Sequence, residues 1–138
     1  MRFVTSLSVL LLFLFMGIAA LDIDIFIEPT KENANRTVEV LRVFGYDVTD
    51  ITIDDLLTKK VLIRQYIIET DLHPFAAGVT FGEVCKNKVT SFIGSTNAFF
   101  ASLDDLIKMK QAANREKDKE DLKILLKLKE SQSVSKMK

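Results

Sequence analysis

The sequence predicts a single domain mixing helices and strands, α/β or α+β, on three observations. Residues 21–28 alternate strictly, with Leu21, Ile23, Ile25 and Ile27 on one face and Asp22, Asp24, Phe26 and Glu28 on the other, as in a half-buried strand. Directly afterwards Ala34, Val38 and Leu41 recur at helical spacing, with Val40 and Phe44 widening the stripe. The whole chain then reads as strand, helix, strand, hairpin, helix, helix, with no internal repeat.

Each element has its own local justification. Pro29-Thr30 ends the first strand, and Thr30 is the expected N-cap, with Glu32 in the first turn and Gly45 as the stop. A short helix is expected over residues 53–59. Residues 60–72, rich in Val, Ile and Tyr, read as a second strand, with Ile67, Glu69 and Asp71 sharing a face. Residues 79–87 form a turn or short helix, and Gly94-Ser95-Thr96-Asn97 between residues 89–93 and 98–100 signals a hairpin. Ser102-Leu103-Asp104-Asp105 resembles a capping box with Asp in place of Glu, opening a helix to about residue 113. Asn114-Arg115 breaks it, and a last helix follows over about residues 117–129, with Leu122, Leu125 and Leu126 facing inward. Residues 131–138 are a polar, frayed tail.

Length and composition narrow the function. A chain of 138 residues holds one domain. Its 19 basic and 19 acidic side chains cancel, so no molecule-wide field points at nucleic acid or an acidic membrane. Acids dominate residues 22–55 and bases dominate from Lys108 onward. A lone Cys85 among apolar neighbours excludes an internal disulfide and reads as a buried structural thiol. A lone His73, without a second histidine or cysteine at ligand spacing, argues against zinc.

Residues 1–20 form an apolar leader. Arg2, the apolar run over residues 7–16 and the small Gly17 and Ala19 read as a secretory signal. The run is barely long enough for a membrane span, and a strand or helix of the domain itself is the third reading. The expected organisation is a leader at 1–20, a domain at 21–130 and a tail at 131–138.

The chemistry concentrates on Asp22 and Asp24. Two apart on a strand, they leave the same face with Cα atoms roughly 6.5–7 Å apart. They can converge on one hard cation, which prefers oxygen ligands. Such a cation, or an exposed sheet face, relieves the charge that a strand packed by isoleucines penalises.

The stretch Asp22-Ile23-Asp24-Ile25-Phe26-Ile27-Glu28-Pro29-Thr30-Lys31-Glu32-Asn33-Ala34-Asn35-Arg36 closely resembles small bacterial nucleotidyltransferase-like proteins, in which a D-[IL]-D strand precedes a Pro-[ST]-x-E-N-A helix start. The resemblance continues through Gly78-Val79-Thr80-Phe81-Gly82-Glu83-Val84-Cys85-Lys86-Asn87-Lys88-Val89, Ser102-Leu103-Asp104-Asp105-Leu106-Ile107-Lys108-Met109-Lys110-Gln111-Ala112 and Arg115-Glu116-Lys117-Asp118-Lys119-Glu120-Asp121-Leu122. It implies an α+β fold, a small mixed β-sheet backed by helices and related to the DNA polymerase β palm, with two C-terminal helices. Counting back from Gly78 implies Asp71 as the third carboxylate, with Glu69 on the same strand face as the fallback. The implied activity is two-metal nucleotidyl transfer: Asp22, Asp24 and Asp71 hold Mg2+ and a nucleoside triphosphate, an acceptor hydroxyl attacks the α-phosphate, and pyrophosphate leaves. Asp71 also fits a general base. Lys110 and Lys117 match basic positions of the C-terminal motif, for phosphate contact or for bracing the fold.

Two departures stand out. Glu69 occupies the position of the family arginine, and the Gly-Ser turn and Arg-x-Thr expected ahead of the paired aspartates are replaced by the apolar leader. A rearranged, inactive copy, a partner chain supplying the missing part, and an exported domain each account for this. The readings carried forward are a nucleotidyltransferase-like enzyme, a non-catalytic, antitoxin-like interaction module on the same fold, and an exported or membrane-tethered binding protein. No direct nucleic-acid binding is expected, and membrane contact is expected only through the leader. The family resemblance implies a cytoplasmic location, and a working leader a secreted or anchored one.

Overall fold

Eleven elements succeed one another along the part of the chain described by a computed structural model, residues 9–12, 22–65 and 69–136. They are β1 (Val9–Leu12), β2 (Asp22–Ile27), α1 (Lys31–Val43), α2 (Ile53–Thr58), β3 (Val61–Ile63), β4 (Glu69–His73), α3 (Phe81–Asn87), β5 (Val89–Ile93), β6 (Thr96–Phe100), α4 (Leu103–Ala113) and α5 (Glu116–Lys136). The fold is α+β. Four strands form one mixed sheet in the order β1-β2-β4-β3, and β5 pairs with β6 in a separate two-stranded sheet.

The middle of the larger sheet is the parallel pair β2 and β4, and both outer strands run antiparallel to their neighbours. Parallel strands cannot be joined by a tight turn, so a crossover is required. The segment carrying α1 and α2 supplies it. Thr30, in extended backbone, accepts the Asn33 N–H at 3.2 Å and opens α1, and Gly45, at φ 88°, follows its end. Thr52 and Asp55 close a full capping box at α2. Ala34, Val38 and Leu41 of α1 and Leu56 of α2 pack with Ile27, Val48, Ile63 and Leu72 as the main core on one face of the sheet.

The alternation of β2 sends its other residues to the opposite face. There Phe26 packs with Val84 of α3 and Ala101, and meets the Phe81 ring edge-on with centroids 5.3 Å apart. Half-buried Leu106 and Met109 of α4 lie against this second cluster. Gly78, at φ +76°, passes so close to α4 that an added Cβ would stand 2.6 Å from the Ala112 Cβ and 3.1 Å from the Lys108 carbonyl.

Several expectations are corrected. Residues 60–72 are not one strand but two, β3 and β4, paired antiparallel with Leu62 opposite Asp71. Ile67 lies outside the described residues. The hairpin turn is tighter than expected, with β6 beginning at Thr96. Asp105 does not close a box on the Ser102 N–H; it bonds the Ser102 hydroxyl and the Asn87 amide while fully buried. The expected tail continues α5 as helix to Lys136, because Glu, Lys and Ser side chains sustain exposed helix where Gly or Pro would stop it. Residues 137–138 lie outside the described residues. Leu122 and Leu125 are half-buried as expected, but Leu126 is exposed. Cys85 is half-buried rather than fully enclosed. Within the leader, Val9–Leu12 pair antiparallel with β2, and residues 1–8 and 13–21 lie outside the described residues. No helix among the described residues is long and apolar enough to cross a membrane.

The packing makes a direct prediction. Leu72, 1 % exposed, faces the main core, whereas Leu62 on the neighbouring strand is 55 % exposed. Leu72→Ala is expected to lower unfolding stability by about 2–5 kcal/mol, and Leu62→Ala by under about 1 kcal/mol, both measured by urea titration.

Candidate metal centre

The parallel register places Asp24 level with Asp71, and Asp22 level with Glu69. Alternation puts Asp24 and Asp71 on the same face, the one that carries Phe26 rather than the main core. His73 follows two residues after Asp71, on that face again. Its Nε2 lies 2.6 Å from Asp24 Oδ1. Donor atoms of Asp24, Asp71 and His73 all lie within 4.8 Å of one another. Two of the three expected carboxylates are therefore brought together, with His73 beside them. Asp22 is described through its backbone position alone.

Asp71 is 8 % exposed, and burial alone would push its carboxyl up. Hydrogen bonds from Lys60 and Arg64, reinforced by their charges, outweigh that effect and hold it below the usual carboxylate range. The strand geometry explains the arrangement. Leu62 sits directly opposite Asp71, so Lys60 and Arg64, two residues to either side of Leu62, are its diagonal neighbours on the same face. Lys60 Nζ pairs with Asp71 Oδ2, and Arg64 Nη1 donates to Oδ1 at 2.7 Å while its Nε reaches Glu69 at 3.2 Å. Glu69, the fallback ligand, is thus drawn toward Arg64.

The cluster opens on a cavity of about 400 Å³. Asp24, Phe26 and His73 form its floor with Lys60, the loop residues Phe75, Ala76 and Ala77 form one side, and α4 with Arg115 forms the other. Lys110 borders it too, but its ammonium is committed: it donates to Asp118 at 2.9 Å and Asp121 at 2.7 Å, clamping α4 to α5. Asn114, at φ 46°, turns the chain between those helices, and Arg115 grips Asp118 through Nε at 2.6 Å and Nη2 at 3.1 Å. Lys117 is exposed on α5. Of the two lysines expected near phosphate, Lys110 reaches the cavity wall while bracing the fold.

The donor set fits a divalent cation in kind, with two carboxylates and an imidazole. A cation about 2.1–2.4 Å from each ligand spans at most about 4.2–4.8 Å between donors, and the three donor atoms, all within 4.8 Å of one another, satisfy that bound. Lys60 and Arg64, 46 % and 40 % exposed, are long enough at the surface to swing off Asp71. His73 stands out in the sequence by neither count nor partner, since no second histidine or cysteine accompanies it at ligand spacing. The missed signal was its spacing of two from Asp71 on a strand.

The charge network carries a pH dependence. Arg115, with further support from Lys110, holds the Asp118 carboxyl down to about 2. A carboxyl depressed in the folded state contributes stability that is present above its unfolded value and lost as it protonates. Stability is therefore expected to fall between about pH 4 and about pH 2. Asp118→Asn is expected to be less stable at neutral pH and to lose less across that window, followed by urea unfolding at each pH.

Neither the family models, nor the curated proteins, nor the solved structures include a match to this chain, so the chemistry of the site rests on its own geometry.

Proposed function

We propose that this chain is a nucleotidyltransferase-like domain that transfers a nucleotide from a nucleoside triphosphate to a hydroxyl acceptor in a divalent-metal-dependent reaction. The observation supporting it most is the register of Asp24 against Asp71 across parallel strands, on one face, with Asp24 lining a cavity and Asp71 buried beside it. In this reading Asp24 and Asp71 hold Mg2+, joined by Asp22 from two positions earlier on β2. When bound, the cation neutralises triphosphate oxygens and lowers the pKa of the acceptor hydroxyl. The chain's own groups do the rest. Lys60 and Arg64 hold Asp71 ionised before loading, and Lys60, which also lines the cavity, would face the triphosphate once displaced. Phe26 and Phe75 give the cavity apolar walls that suit a base and exclude water. The Lys110 clamp fixes the helix that forms the opposite wall.

One observation favours a second reading, a non-catalytic interaction module on the same fold. Both Asp71 oxygens are held by Lys60 and Arg64, and Asp24 is held by His73, so each carboxylate has a partner without a cation. Calorimetric titration with ATP separates the two. Catalytic competence requires heat that depends on Mg2+ and vanishes in Asp24→Ala/Asp71→Ala, together with label transfer from α-labelled nucleotide. ATP binding that is absent, or indifferent to Mg2+ and to both substitutions, selects the module. Under the first reading, Lys60→Gln/Arg64→Gln is expected to bind Mg2+ more tightly than wild type, because nothing then competes for Asp71.

A further inference from the structure

We infer that His73 coordinates the cation directly and turns this site from Mg2+ toward first-row transition cations that accept an imidazole, such as Mn2+ and Co2+. The inference rests on the metal-dependent reading above and adds which cation that site takes. His73 is placed by the strand that carries Asp71, so two ligands of the set descend from one rigid element two residues apart. Its Nε2 already points at Asp24 Oδ1, 2.6 Å away, and shares the space enclosed by the Asp24 and Asp71 oxygens. The side chain is 26 % exposed and lines the cavity with Phe26 and Phe75.

The ligand chemistry follows from these placements. In the contact with Asp24 the Nε2 carries the proton and donates it to the carboxylate. Coordination requires the tautomer with its proton on Nδ1. As the metal binds, the Nε2 proton is lost to solvent and Nδ1 holds the one that remains on the ring, leaving the Nε2 lone pair for the cation. Mg2+ takes oxygen ligands and gives up water reluctantly. Mn2+ and Co2+ accept mixed nitrogen and oxygen sets and bind such sites more tightly along that series. Lys60 and Arg64 sharpen the effect, because their competition for both Asp71 oxygens weakens the carboxylate share of the binding and leaves the nitrogen to decide.

The test uses the full chain and the cations alone. Mn2+, Co2+ and Mg2+ are titrated separately into wild type and His73→Gln, whose amide keeps a donor toward Asp24, with circular dichroism confirming that the variant folds. Pulsed electron paramagnetic resonance of the wild-type Mn2+ complex then looks for coupling to a ring nitrogen. The expected result is nitrogen coupling in wild type and a loss of about 10-fold or more in Mn2+ and Co2+ affinity in His73→Gln, with Mg2+ affinity little changed. Absence of nitrogen coupling, or equal losses for all three cations, overturns the inference while leaving Mg2+-dependent ATP binding intact. A wild-type chain that holds none of the three removes this inference and the metal-dependent reading together.

Discussion

The organising constraint is the placement of two carboxylates side by side on the central strands of a sheet. Asp24 and Asp71 are level across a parallel pair, on a face partly covered by helix and loop. Like charges so placed repel, and each also loses hydration on burial. Compensation has to come from groups able to reach both, and the chain supplies it from the residues flanking β3, Lys60 and Arg64, and from β4 through His73. Leaving one member of a buried ion pair without its partner costs about 3–5 kcal/mol. The short edge strand is thus more than a lid on the core. Its inward face carries Val61 and Ile63 to the main core, and its other face carries the cations that make the acidic floor tolerable.

The same logic recurs where α4 meets α5. Lys110, 8 % exposed, would be costly alone, and Asp118, 1 % exposed, more so. Together with Arg115 and Asp121 they form a closed set of two cations and two anions. The set straddles the left-handed Asn114, with Lys110 before it and Arg115, Asp118 and Asp121 after it, where no hydrogen-bonded helix spans the turn. Charge pairing there takes over from backbone geometry in fixing how the last helix leaves the domain, and the cavity wall inherits that rigidity.

Much of this was legible in the sequence. The alternation of residues 21–28 located β2, Thr30 and Gly45 bracketed α1, and Asn114 marked the break between the last two helices. The division of residues 60–72 was not legible, because Arg64-Gln65 and the apolar residues after it contain no Gly, Pro or Asn to announce a reversal. Missing that turn hid the two cations beside Asp71, since a continuous strand would carry Lys60 and Arg64 away from it. The end of α5 is hidden for the opposite reason. A polar segment carries no apolar period to mark it as helix, although Gln, Lys and Met favour helix and no Gly or Pro interrupts it.

Gly78 links the geometry of the floor to that of the walls. The loop leaving β4 touches the backbone of α4 at the one residue that has no side-chain carbon to hold them apart. Phe75, Ala76 and Ala77 on one side and Leu106, Met109 and Ala113 on the other therefore close on each other like the jaws of a vice whose travel is limited by a single atom. The aperture of the chamber is set by a glycine outside the acidic cluster, so a side chain at Gly78 would widen the chamber without altering the charge on its floor.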